Sequence, residues 1–293
     1  MNHNNKGILL VLIIDSHTHI LPPDISSNFQ FYAKKDRTLR ILFPEEKKFS
    51  FSTVEELLSS MNMNNIDVSF VLGMGWTDTG LNSYVNDYLI ESAQNHSEKI
   101  FPLTGITPHS GSIGVKEAER CLSQGIYGFG EIHSDLQGFD ITSYEIMAPY
   151  MELLSFKNMP MVIHSSEPMG HKYPGKGSAY PGKLWELIRN FPNTKIILAH
   201  WGGGAPFYEL MPEVSKAFRN VYYDCAATPY LYATSIFNTV EGIVSHRKIL
   251  FGSDYPVISQ GRVLKDLNEA FLSESVKCFT LSRNAKAVFN LQS

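Results

Sequence analysis

Eight short apolar segments recur along the 293-residue chain, and a segment with helical periodicity follows each of them. Apolar runs of this length, rich in β-branched residues, are typical of strands buried on both faces. The runs occupy residues 8–14, 66–74, 99–106, 125–133, 159–164, 195–200, 221–226 and 248–254. Eight strands that alternate with helices predict a closed parallel (β/α)8 barrel. We therefore expect an α/β fold of the TIM-barrel class, with residues 1–293 as a single domain.

The main alternative to this barrel is a doubly wound open sheet, which also alternates strands and helices. The absence of a glycine-rich dinucleotide fingerprint after the first run disfavours it. Residues 20–51 predict a long loop inserted after strand one, over the catalytic mouth of the barrel. Helical patterns at 261–271 and 282–291 predict extra helices at the C-terminal end.

Charge and cysteine content bear on which partners we expect. The 25 basic and 29 acidic residues give a formal net charge of −4, which offers no electrostatic footprint for nucleic acid or an anionic membrane. No apolar run approaches the roughly 20 residues of a membrane-spanning helix. The run 8–14 could form the core of a signal peptide, but Asp15 follows it where a cleavage site would need small residues. Three cysteines without short spacing favour reduced thiols. We expect a cytoplasmic protein that acts on a small molecule.

The first strand ends in two histidines, His17 and His19, one residue apart. Residues at this spacing project from the same face of a strand, and active sites of barrels form at the carboxyl ends of the strands. A divalent metal would satisfy both imidazoles, although buried histidines often only hydrogen-bond to carbonyl groups. Asp15 shares the face by the same parity, and the sequence suggests no role for it.

Three later strands end in residue types that a metal site requires. The fifth ends in His164, the sixth in His200 and the eighth in Asp254. Together with the first pair they indicate a metal centre at the barrel mouth, whereas Asp254 alone could be a helix N-cap. The fourth strand adds Glu131 and His133 on one face. Glu131 could ligate a metal, transfer a proton or form an ion pair at the barrel rim.

These motifs resemble the amidohydrolase superfamily, and within it the amidohydrolase-2 branch that includes aminocarboxymuconate-semialdehyde decarboxylase. The matching segments are "DSHTHILP" (15–22), "MVIHSSEP" (161–168), "LAHWGGG" (198–204), "FGSDYP" (251–256) and "SRNAKAVFNL" (282–291). The resemblance implies that His17, His19, His164 and Asp254 bind one catalytic metal, usually zinc. It also implies that His200 faces the bound water or substrate, and that a homodimer is possible.

The chain departs from the decarboxylase pattern on the fourth strand. "GEIHSD" (130–135) is similar to the segment that carries the metal-binding glutamate of TatD-type nucleases. Glu131 could therefore bridge a second metal ion. The rest of the TatD pattern is weaker in this chain, and the negative net charge does not favour a nuclease.

The ligand set predicts a hydrolase that acts on a C–O or C–N bond of a small lactone, cyclic amide or ester. Zinc lowers the pKa of a bound water to about 7. Asp254 would accept the proton of that water and pass it to the leaving group, and His200 would orient the nucleophile or polarise the carbonyl. The alternative is a metal-dependent non-oxidative decarboxylase of a small unsaturated carboxylic acid. A TatD-like phosphoesterase or nuclease is a third reading.

Side chains in the predicted loops after the strands are candidates for substrate contacts. Aromatic residues there could form an apolar wall, or could simply pack the loops onto the barrel. A cation could face a substrate carboxylate. The candidates are His133, Trp76, Lys172, Trp201 and Tyr255.

Overall fold

The fold is known from a computed structural model that describes residues 12–44 and 51–291. Eight strands lie close to the predicted positions. They are β1 Ile14–Thr18, β2 Val68–Leu72, β3 Ile100–Leu103, β4 Phe129–Ile132, β5 Pro160–Ile163, β6 Lys195–Leu198, β7 Val221–Asp224 and β8 Ile249–Leu250. Residues 8–11 of the first predicted strand lie outside the described residues.

All strand pairs are parallel, in the orders β1-β2-β3 and β4-β5-β6-β7-β8. Isolated bridges join the two sheets at both edges, between Thr104 and Phe129 and between Thr18 and Tyr255. The backbone N–H of Ser16 also donates to the Phe251 carbonyl (2.8 Å). These contacts connect the eight strands into the predicted TIM-barrel arrangement.

Helices surround the strands. Their bounds are α1 Pro23–Ser27, α2 Phe29–Lys35, α3 Arg37–Leu42, α4 Val54–Asn64, α5 Thr79–Asn95, α6 Ser112–Leu122, α7 Ser134–Gln137, α8 Tyr144–Lys157, α9 Pro181–Asn190, α10 Pro212–Ala217, α11 Thr228–Leu231, α12 Ile236–Glu241, α13 Gln260–Glu269, α14 Glu274–Cys278 and α15 Asn284–Val288. None of these helices is both long and apolar enough to cross a membrane.

The extra C-terminal helices are present, and α15 closes one end of the barrel. Its Val288 and the following Phe289 join an apolar cluster with Ile14, Val68 and Phe70, and the Phe289 ring stacks on Phe70 at 3.8 Å between centroids. Because Ile14 and Val68 begin their strands, this cluster fills the amino-terminal end. The carboxyl end is left to polar side chains.

The predicted insertion after strand one is present, and the helices α1, α2 and α3 form most of it in place of a long loop. Buried Asp36 caps α3 by accepting the Leu39 N–H (2.7 Å). Its second oxygen accepts the N–H groups of Thr77 (2.6 Å) and Asp78 (2.8 Å), which follow β2. One carboxylate thus fastens the inserted helices to the barrel mouth.

Register shifts in β1 and β4 decide which side chains face the interior. Ile14 and Asp15 pair with Val68 and Ser69, but Thr18 pairs with Val71, so one extra residue of β1 is accommodated. β4 has a similar shift between Phe129 and Ile132. Bulges of this kind reverse the alternation of side chains. The parity argument for Asp15 is therefore wrong, because Asp15 and His17 lie on opposite faces.

Asp15 faces the helix layer and holds the strand ends in place. It accepts the Ser253 N–H (3.0 Å), the Ser253 hydroxyl (2.6 Å), the Gln260 amide (2.9 Å) and the His17 N–H (3.2 Å). Burial raises the pKa of Asp15 to about 6, against the effect of these donors. Asp15 therefore joins β1 to the segment that carries Asp254.

Two segments with a helical pattern in the sequence form shorter helices. Residues 207–218 do not form one continuous helix, because Pro212 lacks an N–H and begins α10 as its first residue. In residues 232–245, which have a similar pattern, the α-helix is limited to α12. Pro149, by contrast, is accommodated inside α8.

We expect Asp36→Ala to lower the free energy of unfolding by roughly 2–4 kcal/mol, because it removes an N-cap and leaves buried backbone donors without an acceptor. Urea denaturation would measure this loss. Glu98→Ala, at an exposed position between α5 and β3, is the matched control and should change stability by less than about 0.5 kcal/mol. Equal stability of the two variants would contradict the role assigned to Asp36.

Candidate metal centre

Two groups of side chains at the carboxyl end of the barrel have the composition and spacing of a metal site. The first is His17, His19 and Asp254, and the second is His17, Glu131 and His200. In each group the potential ligand atoms lie within 4.8 Å of one another. The Nε2 atoms of His17 and His19 are 3.1 Å apart, and Asp254 Oδ1 lies 3.7 Å from the first and 3.5 Å from the second.

Glu131 lies at the centre of the cluster and connects its two halves. Its Oε2 is 3.6 Å from the Nε2 atoms of both His17 and His19. Its Oε1 is 3.0 Å from Nδ1 of His164 and 3.2 Å from Nε2 of His200. Glu131 thus lies close to four imidazoles. This position suits a metal ligand or a proton-transfer group as well as the ion pair that the sequence also allowed.

His164 lies in the cluster but belongs to neither metal-capable group of the described residues. Its Nδ1 faces Glu131, and its Nε2 is 3.4 Å from the Ser166 hydroxyl. His133 stacks on His164, with ring centroids 4.2 Å apart. The Nε2–H of His133 donates to the Gly175 carbonyl (2.6 Å), and burial lowers the pKa of His133 to about 3, so this ring is neutral.

Backbone and carboxylate partners orient the first two histidines. Nδ1 of His17 donates to Asp224 Oδ2 (2.8 Å), and Nδ1 of His19 donates to the Leu72 carbonyl (3.1 Å). Both imidazoles therefore present Nε2 to the cluster, as metal-ligating histidines usually do when a second shell fixes the tautomer.

Asp224 is a residue that the sequence reasoning missed. Its other oxygen accepts the backbone N–H groups of His200 (2.9 Å) and Ala226 (3.1 Å), so it also fixes the start of the turn after β6. The signal was available, because Asp224 ends β7 as Asp254 follows β8.

The charges of the cluster favour an added cation. Burial alone would lower the pKa of His17, but Asp224 and Glu131 raise it well above its usual value. Burial is likewise overcome at His200, where Glu131 and Asp254 raise the pKa to about 9. Glu131 itself is held well below its usual pKa by His17 and His164, despite burial. The site therefore attracts positive charge, and nitrogen and oxygen donors converge in it, which fits a divalent metal.

A tight turn after β6 presents His200. The backbone φ angles from His200 to Gly204 are all positive, which glycine adopts without steric cost. A Cβ on Gly203 would lie 2.2 Å from the Ser166 carbonyl oxygen. The triple glycine thus lets the turn pack directly against the segment that follows β5.

The remaining candidate residues differ from one another in burial and in their hydrogen bonds. Trp76 and Trp201 are fully buried, and the Trp201 indole donates to the Thr228 hydroxyl (2.8 Å). Tyr255 is half-buried, and its hydroxyl accepts the Ser52 hydroxyl (3.1 Å). Lys172 is exposed in the segment after β5. The structure brings none of these four into the metal-capable groups of the described residues.

The fold is similar to those of several solved decarboxylases. 5-Carboxyvanillate decarboxylase from Sphingomonas paucimobilis matches with a TM-score of 0.77 and 15% identity, over 96% of this chain and 100% of that chain. 2,6-Dihydroxybenzoate decarboxylase from Rhizobium matches with a TM-score of 0.69 and 14% identity, over 96% and 99%. A dihydroxybenzoic acid decarboxylase from Polaromonas with bound manganese matches with a TM-score of 0.68 and 14% identity, over 96% and 97%.

These likenesses establish the TIM-barrel fold. A sequence profile described as amidohydrolase matches residues 14–291, which is nearly the whole chain. The match includes every residue of the two metal-capable groups. The chain is an enzyme of the amidohydrolase superfamily and belongs to the amidohydrolase family.

Proposed function

We propose that this enzyme is a divalent-metal-dependent, non-oxidative decarboxylase of a small unsaturated or aromatic carboxylic acid. The observation that carries the proposal is the convergence of His17, His19 and Asp254 beside Glu131 and His200 at the carboxyl end of the barrel. The likeness of the fold to decarboxylases, one of them with bound manganese, supports loss of CO₂ over hydrolysis.

His17, His19 and Asp254 would hold the cation, with Glu131 as a further ligand. The bound cation would supply Lewis acidity toward a substrate oxygen conjugated with the bond that breaks. His17 belongs to both groups, and its Nδ1 is engaged by Asp224, so its single available nitrogen serves one ion. This single available nitrogen supports a site that holds one metal ion. A second ion would have to rely on Glu131, His164 and His200.

The metal is a separate proposal. Imidazole and carboxylate donors suit zinc as well as manganese. Zinc follows from the superfamily resemblance, and manganese is bound in the Polaromonas decarboxylase. We propose zinc or manganese as the physiological ion, to be decided by metal content.

The chain's own residues would manage the proton. When the C–C bond to the carboxylate breaks, CO₂ leaves and its electron pair stays on the substrate carbon, which must then take up a proton. Asp254, beside the Nε2 atoms of His17 and His19, would take up a proton from solvent and transfer it to that carbon as a general acid. His200, on the opposite side of Glu131, would donate a hydrogen bond to a substrate oxygen as charge develops there.

Hydrolysis of a C–O or C–N bond is the second candidate. The placement of Asp254 beside His19 favours hydrolysis, because a carboxylate there could accept the proton of an attacking water. His200 would then polarise the carbonyl. Decarboxylation and hydrolysis require the same side chains and differ in the bond that breaks, so products separate them.

We expect the enzyme loaded with manganese or zinc to release CO₂ from at least one member of a panel of hydroxybenzoic and unsaturated carboxylic acids. The released CO₂ is measured as bicarbonate, in an assay whose signal does not depend on pH. A parallel panel of lactones, cyclic amides and esters tests acid release. Acid release without CO₂ would replace the first proposal by the second, and turnover of phosphoesters alone would contradict both.

Metal content should depend on the proposed ligands. We expect His17→Ala and Asp254→Asn each to lower turnover at least about 10³-fold, since each removes a ligand, and Asp254→Asn also removes the proton donor. Elemental analysis after dialysis should find the greatest metal loss in His17→Ala. His246→Ala, remote from the site, is the matched control. Full metal content and turnover in His17→Ala would disprove the assignment.

The role of Asp224 predicts a milder effect. Asp224→Asn keeps the size of the side chain but weakens its hold on the Nδ1–H of His17, and we expect metal affinity to fall about 10- to 100-fold. Competition with a chelator measures this affinity. Activity should recover at high metal concentration, in contrast to His17→Ala. An unchanged affinity would show that Asp224 does not orient the ligand.

A further inference from the structure

The segment that follows β5, residues 165–180, folds back over the carboxyl end of the barrel. The Ser166 hydroxyl accepts the Gly177 N–H (2.9 Å), and the Ser166 N–H donates to the Ala179 carbonyl (3.3 Å). Asp135 accepts both the N–H (2.7 Å) and the hydroxyl (2.6 Å) of Ser178. This segment, which we call the β5 loop, is thus fixed at both of its ends.

Glu167 lies in the β5 loop, three residues after His164. Its Oε1 is shielded from solvent and has no hydrogen-bond partner among the described residues. None of the ion pairs formed by the described residues involves Glu167. A shielded carboxylate oxygen without a donor is costly, and such an oxygen in a native protein calls for a ligand or a function.

The surroundings of Glu167 place it at the catalytic mouth. The Tyr232 hydroxyl, from the segment after β7, donates a hydrogen bond to the Glu167 carboxylate, so the missing donor concerns Oε1 alone. A Cβ on Gly204, in the turn after β6, would lie 3.8 Å from the same hydroxyl. Glu167 therefore lies where the segments that follow β5, β6 and β7 meet.

Tyr173 connects this point to the metal centre. Its hydroxyl interacts with Ser166, whose own hydroxyl is 3.4 Å from Nε2 of His164. Burial first, and then the charges of Glu167, Glu131 and Asp254, raise the pKa of Tyr173 to about 12. Tyr173 thus lies within electrostatic range of the metal centre on one side and of Glu167 on the other.

We propose that Glu167 is a specificity-determining residue, which binds a hydrogen-bond donor on the part of the substrate remote from the metal centre. The donor is a hydroxyl or an ammonium group. Tyr173 and Tyr232 would flank it, since aromatic faces accept both planar rings and cations. The inference rests on the proposed function in taking the substrate to be a small carboxylic acid, and it adds a second polar group to that acid.

Ligand binding by calorimetry tests the subsite separately from turnover. The probes are benzoates that carry a hydroxyl, an aminomethyl or a methyl group at carbon 3 or 4, and the protein is the manganese-loaded full chain. We expect the best donor-bearing isomer to bind at least about tenfold more tightly than its methyl counterpart. Glu167→Met should abolish this preference. Glu186→Met, on the exposed side of α9, should keep it.

Glu167→Gln distinguishes the two donors, because it retains an acceptor oxygen but loses the charge. Persistence of the preference in this variant identifies a hydroxyl, and its loss identifies an ammonium group. Either outcome supports the subsite. Wild-type protein without donor preference, or Glu167→Met with an unchanged preference, would overturn it.

Thermal stability gives a second readout that a structural role would not produce. Because Glu167→Met removes a shielded oxygen without a partner, we expect a melting temperature equal to or higher than that of the wild type. A lower melting temperature, with Glu186→Met unchanged, would show that Glu167 is a structural residue and would overturn the proposal. Donor-dependent binding without CO₂ release would instead contradict the proposed decarboxylation and leave the subsite intact.

Discussion

The carboxyl end of the barrel is organised by the need to balance negative charge in a buried space. Glu131, Asp224 and Asp254 meet four imidazoles there, and almost no water reaches them. Carboxylates in such surroundings stay ionised only if protons or a cation neutralise them. Protons on His17 and His200 supply part of that charge, and a divalent metal would supply it without protonating the ligands. The excess of buried negative charge, which by itself would destabilise the barrel, therefore favours the binding of a metal cation.

The backbone around the cluster is irregular where the ligands require it. β1 and β4 both shift register within an interval that contains a cluster residue, His17 in one strand and Glu131 in the other. Regular alternation would put one of Asp15 and His17 on the wrong face. The shift lets Asp15 fasten the strand to Ser253 and Gln260 from the helix side, while His17 faces inward. Asp15, a structural residue, and His17, a residue of the cluster, thus lie two positions apart on opposite faces of one strand.

Asp15, which is fully buried, and Glu167, which has one shielded oxygen, illustrate two environments of a carboxylate in this protein. Asp15 is surrounded by donors from three segments, which offset part of the cost of its burial and join β1 to the segment after β8. Glu167 has, at the catalytic mouth, one oxygen for which the described part of the chain provides no donor. Sites that bind ligands often retain such unsatisfied groups at some cost in stability, because the ligand provides the missing partner.

The sequence alone determined the fold class and most members of the candidate metal centre. Alternating apolar and amphipathic segments predict the barrel, because each strand and helix has a period that the side chains reveal. His17, His19, His200, Glu131 and Asp254 were visible because polar residues after apolar strands are unusual. The tertiary structure alone decided that Asp15 turns outward, that Asp224 supports His17 and that Oε1 of Glu167 has no hydrogen-bond partner among the described residues. It also showed that the insertion forms helices. Those features depend on contacts between segments distant in sequence, and local periodicity carries no information about such contacts.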